Sequence, residues 1–329
     1  MSKRALRIIL IAGLCLAAGP AFGAPLQKSE VNPSADWVAH LDVEAFRGST
    51  LGKLVLAELK NQGLEQKLQD FSNIFSFNPL QDIRDITVYG TGQDRSNAVA
   101  VVEGKFDTQK LLSLIRLNSQ YQEIPYKGST LHRWRQEERK DPQASSDQKG
   151  EQMMYGCICE GNRVVVGSGL QAVQRAVDTL KGQATGTPSG LLNQIQAAQG
   201  TVFAQVAAAG VGKMAGQNPQ AAMLQQTDSL ALTLGETGDK VFGRLSLKGQ
   251  TAEVAENTTK MLQGLVAMIQ FSASEQPRLA ELAKNFNISQ ADKTTEVRIE
   301  APTQAIFQFI KEQWTKQNPT QGQAPATVR

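Results

Sequence analysis

Histidine and cysteine carry much of the acid–base and metal chemistry of proteins, and this chain has little of either: two His and three Cys in 329 residues. His40 and His132 are the only imidazoles. Of the cysteines, Cys15 lies in an N-terminal apolar run expected to be removed, which leaves Cys157 and Cys159. Two thiols do not make a disulfide scaffold, and the remaining chain of roughly 305 residues can bury a core without one. The phosphate-loop lysine motif and the dinucleotide GxGxxG are absent, and beyond the N-terminus no apolar run approaches the length of a membrane span. Charge of one sign is lacking too. Lys3, Arg4 and Arg7 account for the whole excess of 34 basic over 31 acidic residues, so without them nothing favours counterion displacement from nucleic acid. The densest basic stretch, His132 to Lys140, is interrupted by Glu137 and Glu138 and reads as a solvated face.

The N-terminus has the pattern of a cleavable secretory signal over residues 1–23. Lys3, Arg4 and Arg7 precede the apolar run Ile8 to Ala18, and the small-x-small site Ala21-Phe22-Gly23 follows. A mature chain starting at Ala24, exported to the periplasm or secreted, is expected.

Ala98 to Ile115, AVAVVEGKFDTQKLLSLI, organises the rest. Its β-branched run predicts a strand ending at Gly104. Asp107 then stands at a helix N-cap, with Phe106 placed to staple onto Leu111, and Leu111, Leu114 and Ile115 follow at helical spacing toward the sheet. A strand is expected at Trp37 to Val43, helices at Leu51 to Leu59 and Leu64 to Phe75 broken near Gly63, and a strand at Asp85 to Gly90. Hairpins turn on Lys127-Gly128 and Gly161-Asn162, and a helix carries Leu170, Val173, Ala176, Val177 and Leu180. The second half repeats the grammar: Val202 to Ala208, Ser229 to Leu234, Val241 to Lys248, a helix Ala252 to Ile269 with Ala255, Thr258, Leu262, Leu265, Val266 and Ile269 inward, a closing hairpin and a last helix.

This order predicts an α+β fold, a tandem repeat of two β-α-β-β-α-β ferredoxin-like units with mainly antiparallel sheets and helices on one face. The expected division is a flexible leader 24–34, a first half 35–182 with an extra hairpin and helix, a connector 183–200, a second half 201–314 and a disordered tail 315–329. The polar stretch Gln136 to Gln152 is expected to be an exposed loop.

The stretches Phe77 to Gly90, Glu103 to Leu112 and Asn162 to Gly182 together resemble a group of exported bacterial proteins of unknown function with tandem α+β halves. The resemblance implies export and architecture, and brings no activity, ligand or site with it.

Candidate chemistry is sparse. Cys157 and Cys159 lie two apart on an expected strand, so both thiols point to one face, where they suit a soft metal or redox cycling with His132 as a further ligand. The plainer reading is two small side chains in a core strand. Gly167-Ser168-Gly169 sits at a strand-to-helix junction, where backbone N–H groups can hold an anion, or where Ser168 simply caps the helix. Tyr126 and Trp134 offer an aromatic surface for sugar or peptide, or core packing. His40 and Asp42 share a strand face with no nucleophile indicated beside them.

With no assembled nucleophile and no cofactor expected, the leading expectation is an exported, non-catalytic binding or interaction protein whose partner is a protein or small ligand. Nucleic acid and a membrane span are not expected. The alternatives are a thiol- or metal-dependent protein using Cys157 and Cys159, and an envelope component that self-associates through strand edges.

Overall fold

The computed structural model describes residues 25–136, 152–187, 189–195, 198–215 and 224–317. The expected signal 1–23, the start at Ala24, nearly all of the polar loop 136–152 and the tail beyond 317 lie outside the described residues.

In chain order the first half holds β1 (Trp37–Asp42), α1 (Val43–Gly48), α2 (Thr50–Asn61), α3 (Leu64–Phe75), α4 (Pro79–Asp82), β2 (Ile83–Gly90), β3 (Ala98–Gly104), α5 (Thr108–Arg116), β4 (Gln122–Tyr126), β5 (Ser129–Arg135), β6 (Met153–Cys159), β7 (Arg163–Gly167) and α6 (Leu170–Leu180). The second holds β8 (Thr201–Ala209), α7 (Val211–Ala215), β9 (Thr227–Thr237), β10 (Lys240–Gly249), α8 (Ala252–Phe271), α9 (Pro277–Ala283), β11 (Phe286–Ala291), β12 (Thr294–Pro302) and α10 (Thr303–Gln317).

Local chemistry sets many of these boundaries. Gly63, at φ 78°, separates α2 from α3 in the left-handed region that glycine enters without a Cβ penalty. The Asp107 carboxylate accepts from Lys110 N at 2.9 Å and caps α5. Lys127 and Gly128 both have positive φ, the conformation of a two-residue hairpin turn between β4 and β5.

The twelve strands form one sheet in the order β11-β12-β10-β9-β8-β1-β2-β3-β7-β6-β5-β4, and every neighbouring pair is antiparallel. The fold is therefore α+β, but the strand order corrects the ferredoxin-like expectation. A split β-α-β unit needs two parallel strands with a third between them, whereas β1 and β2 are direct antiparallel neighbours. The halves join where β1 pairs with β8, Trp37 opposite Ala208 through Leu41 opposite Ala204.

Two cores lie on opposite faces, which corrects the expectation of helices on one face only. Val38 and Leu41 are an odd number of residues apart on β1 and point to opposite sides. Val38 belongs to the core made with Tyr89, Val99, Val101, Leu131, Val165 and the inner stripe of α6, Ala172, Val173, Ala176 and Val177. Leu41 belongs to the core made with Phe46, Leu51, Val55, Leu80, Phe203 and Phe307, contributed largely by α1, α2, α4 and α10.

α6 occupies the position expected for α5. No residue of α5 is buried, and Phe106 stands beside Phe77, ring centroids 5.2 Å apart. The inward face expected for Leu111, Leu114 and Ile115 is not realised, because α6 covers β3, β6 and β7. On α8 the buried positions are Ala255, Thr258 and Thr259, and Leu265, expected inward, is exposed.

The leader is part of the core. Val31 and Ala35 are buried with Val38 and α6, Glu30 pairs with Arg163 at 2.6 Å, and Asn32 Nδ2 donates to Thr179 Oγ1. The connector closes over it: Ser189 N donates to Pro33 O and Ser189 Oγ to Ala35 O, and Leu191 is fully buried. Its polar composition, with Pro25 and Pro33, reads as flexible, but Val31 buries against the core and holds the segment in place. At the other end α10 continues through Thr315 to Gln317, beyond the point where the tail was expected to begin.

Candidate functional site

β6 lies between β5 and β7, and its register decides where the thiols point. Cys157 stands opposite Leu131 on one side and Val165 on the other, all three in the core beneath α6. Cys159 stands opposite Arg163 on the same face and is half-buried. The Cys157 thiol donates to Ile158 O at 3.6 Å, and the Cys159 thiol to Cys157 O at 4.0 Å. The proximity of the two thiols holds Cys157 below its ordinary value and pushes Cys159 well above its own, with burial adding to the rise. Lys181 contributes a positive charge near both.

His132 is not with them. It pairs with Glu123 and Gly156 and so points to the opposite face from Leu131 and Cys157. Its Nδ1 lies 2.9 Å from the Tyr121 hydroxyl, and the rings stack at 6.0 Å and 15°. Tyr121 gives its hydroxyl proton to Glu123 Oε1 at 2.7 Å, so His132 Nδ1 carries the proton in the other bond. Arg116 closes the cluster with a 2.7 Å pair to Glu123. Burial holds the His132 pKa below its usual value. Among the described residues no three His, Cys, Asp or Glu side chains converge as metal ligands.

Gly167-Ser168-Gly169 does lie between β7 and α6, but its space is occupied. The N-cap is Gly169, without a side-chain cap, and Ser168 Oγ donates to Arg95 O at 3.2 Å, which corrects the capping role read for Ser168. A Cβ at Gly169 would run into the Ser96 carbonyl, and one at Gly167 would lie 2.8 Å from Ala98 O. The glycines admit the chain's own 95–98 segment where an anion would have to sit.

Tyr126 and Trp134 do not form one surface. The Tyr126 ring packs against the α6 core, with its hydroxyl donating to Asp178 Oδ2 at 2.9 Å beside Lys127. Trp134 shares the face of His132 and lies over Gly156, where a Cβ would be 3.1 Å from the indole.

A charged row across the sheet was missed by sequence reasoning. Asp42 pairs with Asp85, Asp85 with Glu103, and Glu103 with Arg163, four charged residues abreast on β1, β2, β3 and β7. Glu30 roofs the row through Arg163, and Arg84 pairs with Glu103 at 2.7 Å. Beside it His40 Nδ1 and Thr87 Oγ1 form a buried 2.9 Å hydrogen bond. Burial, then the nearby carboxylates of Glu103, Glu30 and Asp42, raises the Asp85 pKa to about 7. The row can take up and release a proton near neutrality, and no hydroxyl or thiol nucleophile from the sequence analysis lies in it. Only the alternation of His40 and Asp42 hinted at it, because the partners on β2 and β3 are set by pairing register.

The outer side of α8 is the other feature without a counterpart in the sequence reading. Met261, Leu265, Met268 and Phe271 are 46, 47, 64 and 88 % exposed. Their spacing of four, three and three residues puts them on one stripe of the helix.

No family model matches the chain, and no curated protein matches it. Solved structures of TP0453 resemble it at low identity. Crystal form III aligns at TM-score 0.47 and 9 % identity over 88 % of this chain and 99 % of that one. Crystal form I gives 0.44 and 10 % over 88 % and 98 %, and form IV gives 0.43 and 11 % over 86 % and 95 %. At that level the likeness carries no argument about fold or function. Among the described residues no helix is long and apolar enough to cross a membrane.

Proposed function

We propose that the protein is an exported, non-catalytic interaction protein that engages a partner through α8. The observation that carries this reading is the exposed stripe Met261, Leu265, Met268 and Phe271, in a segment, residues 261–271, with no charged side chain. Surface apolar residues scattered singly need no explanation, whereas four aligned on one helix form a patch of the kind that partners cover. The like order of strands outward from the β1–β8 seam, β1-β2-β3 then β7-β6 and β8-β9-β10 then β12-β11, supports a duplicated architecture, with the meander as the repeating unit.

The test is site-specific photocrosslinking in the native compartment from position 268, against position 256 on the polar side of the same helix. A discrete adduct from 268 and none from 256 is expected. Equal labelling from both positions, or none from either, would sink the reading.

A further inference from the structure

The thiol pair is independent of α8, and its geometry points to a chemistry of its own. Cys157 and Cys159 stand two residues apart on one face of β6, opposite Val165 and Arg163, and β6 is held on both sides, by β5 and by β7. Two residues of extended strand span roughly 6.6 Å between Cα atoms, while disulfides favour about 5.5–6 Å. That separation is near the upper end of the range of about 4.4–6.8 Å that disulfides take, and a strand laddered on both edges does not shorten toward the preferred value, so a disulfide here would be strained and the two sulfurs stay side by side as thiols.

An ion that bridges them has no such difficulty. Structural zinc asks for four ligands. Here the only nearby imidazole, His132, faces the other side of the sheet, and no group of three ligands exists among the described residues. Soft thiolates without nitrogen partners select a soft monovalent ion. We propose that Cys157 and Cys159 form a two-coordinate Cu(I) site. Both thiols release their protons, the ion accepts one lone pair from each sulfur, and the resulting dithiolate complex carries one net negative charge with no change in oxidation state. Lys181 stands near both sulfurs and Arg163 near Cys159, placed to offset that charge. Entry is from the side of Cys159, which is half-buried where Cys157 is 1 % exposed.

The test uses the full chain carrying Cys15→Ser, so that Cys157 and Cys159 are its two thiols, reduced and under anaerobic conditions. Cu(I) is presented as its complex with bicinchoninate, whose colour is lost on transfer. The expected result is one equivalent of Cu(I) per chain, loss of transfer in both Cys157→Ser and Cys159→Ser, and full retention in His132→Gln. X-ray absorption of the copper form should contain two sulfur neighbours and no nitrogen. Cys159→Ser changes a half-buried position and keeps the test decisive if the core variant Cys157→Ser does not fold. Copper left entirely with the competitor, transfer that persists in Cys159→Ser, or a nitrogen in the coordination shell would each overturn the proposal.

Discussion

Glu236 of the second half caps a helix of the first: its two carboxylate oxygens accept from Thr50 N at 2.7 Å and Leu51 N at 2.9 Å, at the start of α2. A carboxylate at a helix N-terminus satisfies free donors and meets the positive end of the helix dipole. Glu236→Ala leaves the Leu51 N–H buried without that partner, and a loss of about 1–3 kcal/mol is expected. Glu236→Gln, which keeps one acceptor, should fall between. Urea unfolding of the three proteins checks the order, and an alanine variant as stable as wild type would count against the capping role.

The exchange of α5 for α6 over the sheet can be tested by truncating one residue on each. Val173 is fully buried against β3 and β7, while Leu114 is partly exposed on α5. Val173→Ala should cost about 2 kcal/mol from lost burial and the cavity left behind. Leu114→Ala should cost less than about 1 kcal/mol. Reversed magnitudes in equilibrium unfolding would mean that α5 carries the core after all.

Gly169→Ala asks whether the approach of the 95–98 segment is obligatory. The new methyl meets the carbonyl of Ser96, a backbone atom with no free rotation to escape, and overpacking of this kind costs about 1–3 kcal/mol. The thermal midpoint should drop, and proteolysis should become faster at 95–98 before it does elsewhere. Unchanged midpoint and cleavage would show that the loop yields freely.

Asp85 links stability to pH with an unusual sign for a carboxyl group. Its pKa is raised from 3.8 to about 7 in the fold, so between those values the folded state holds a proton that the unfolded state has lost. Its contribution is complete below about pH 4, falls as pH rises through the window, and is gone above about 7. The groups facing it, Asp42, Glu103, Glu30 and Arg84, set the depth of the fall, expected to be a few kcal/mol. Asp85→Asn should flatten the profile and be the more stable protein at pH 8, measured by denaturant midpoints from pH 4 to 8 in a His132→Gln background. That background matters because burial lowers the His132 pKa, so its neutral form loses stability in the opposite direction, as pH falls below its ordinary value. A difference between the two proteins that is constant with pH would refute the assignment.

Signals that act over a few residues were legible in the sequence. The Asp107 cap, the break at Gly63 and the Lys127-Gly128 turn need only their immediate neighbours. What depended on pairing was not. The seam between β1 and β8, the Asp42–Asp85–Glu103–Arg163 row and the separation of His132 from Cys157 all follow from register. Shifting one strand by a single residue would turn each side chain to the other face. α5 misled for a related reason, since an apolar stripe announces a helix that can pack without saying whether another has already taken the surface. Of the candidate residues, the thiols kept their expected shared face, while Tyr126 and Trp134 were divided between faces by the same alternation.

The β1–β8 seam makes the peptide link between the halves mechanically secondary. Five residue pairs of ladder, with Leu191 buried in the same core as Val31 and Ala35, are expected to hold the halves together whether or not the chain between them is intact. A molecule nicked at 183–187 would therefore migrate as one particle in native separation and as two chains only after denaturation, and its two pieces, made separately, are halves of a complementation pair whose meeting edge is the middle of the sheet.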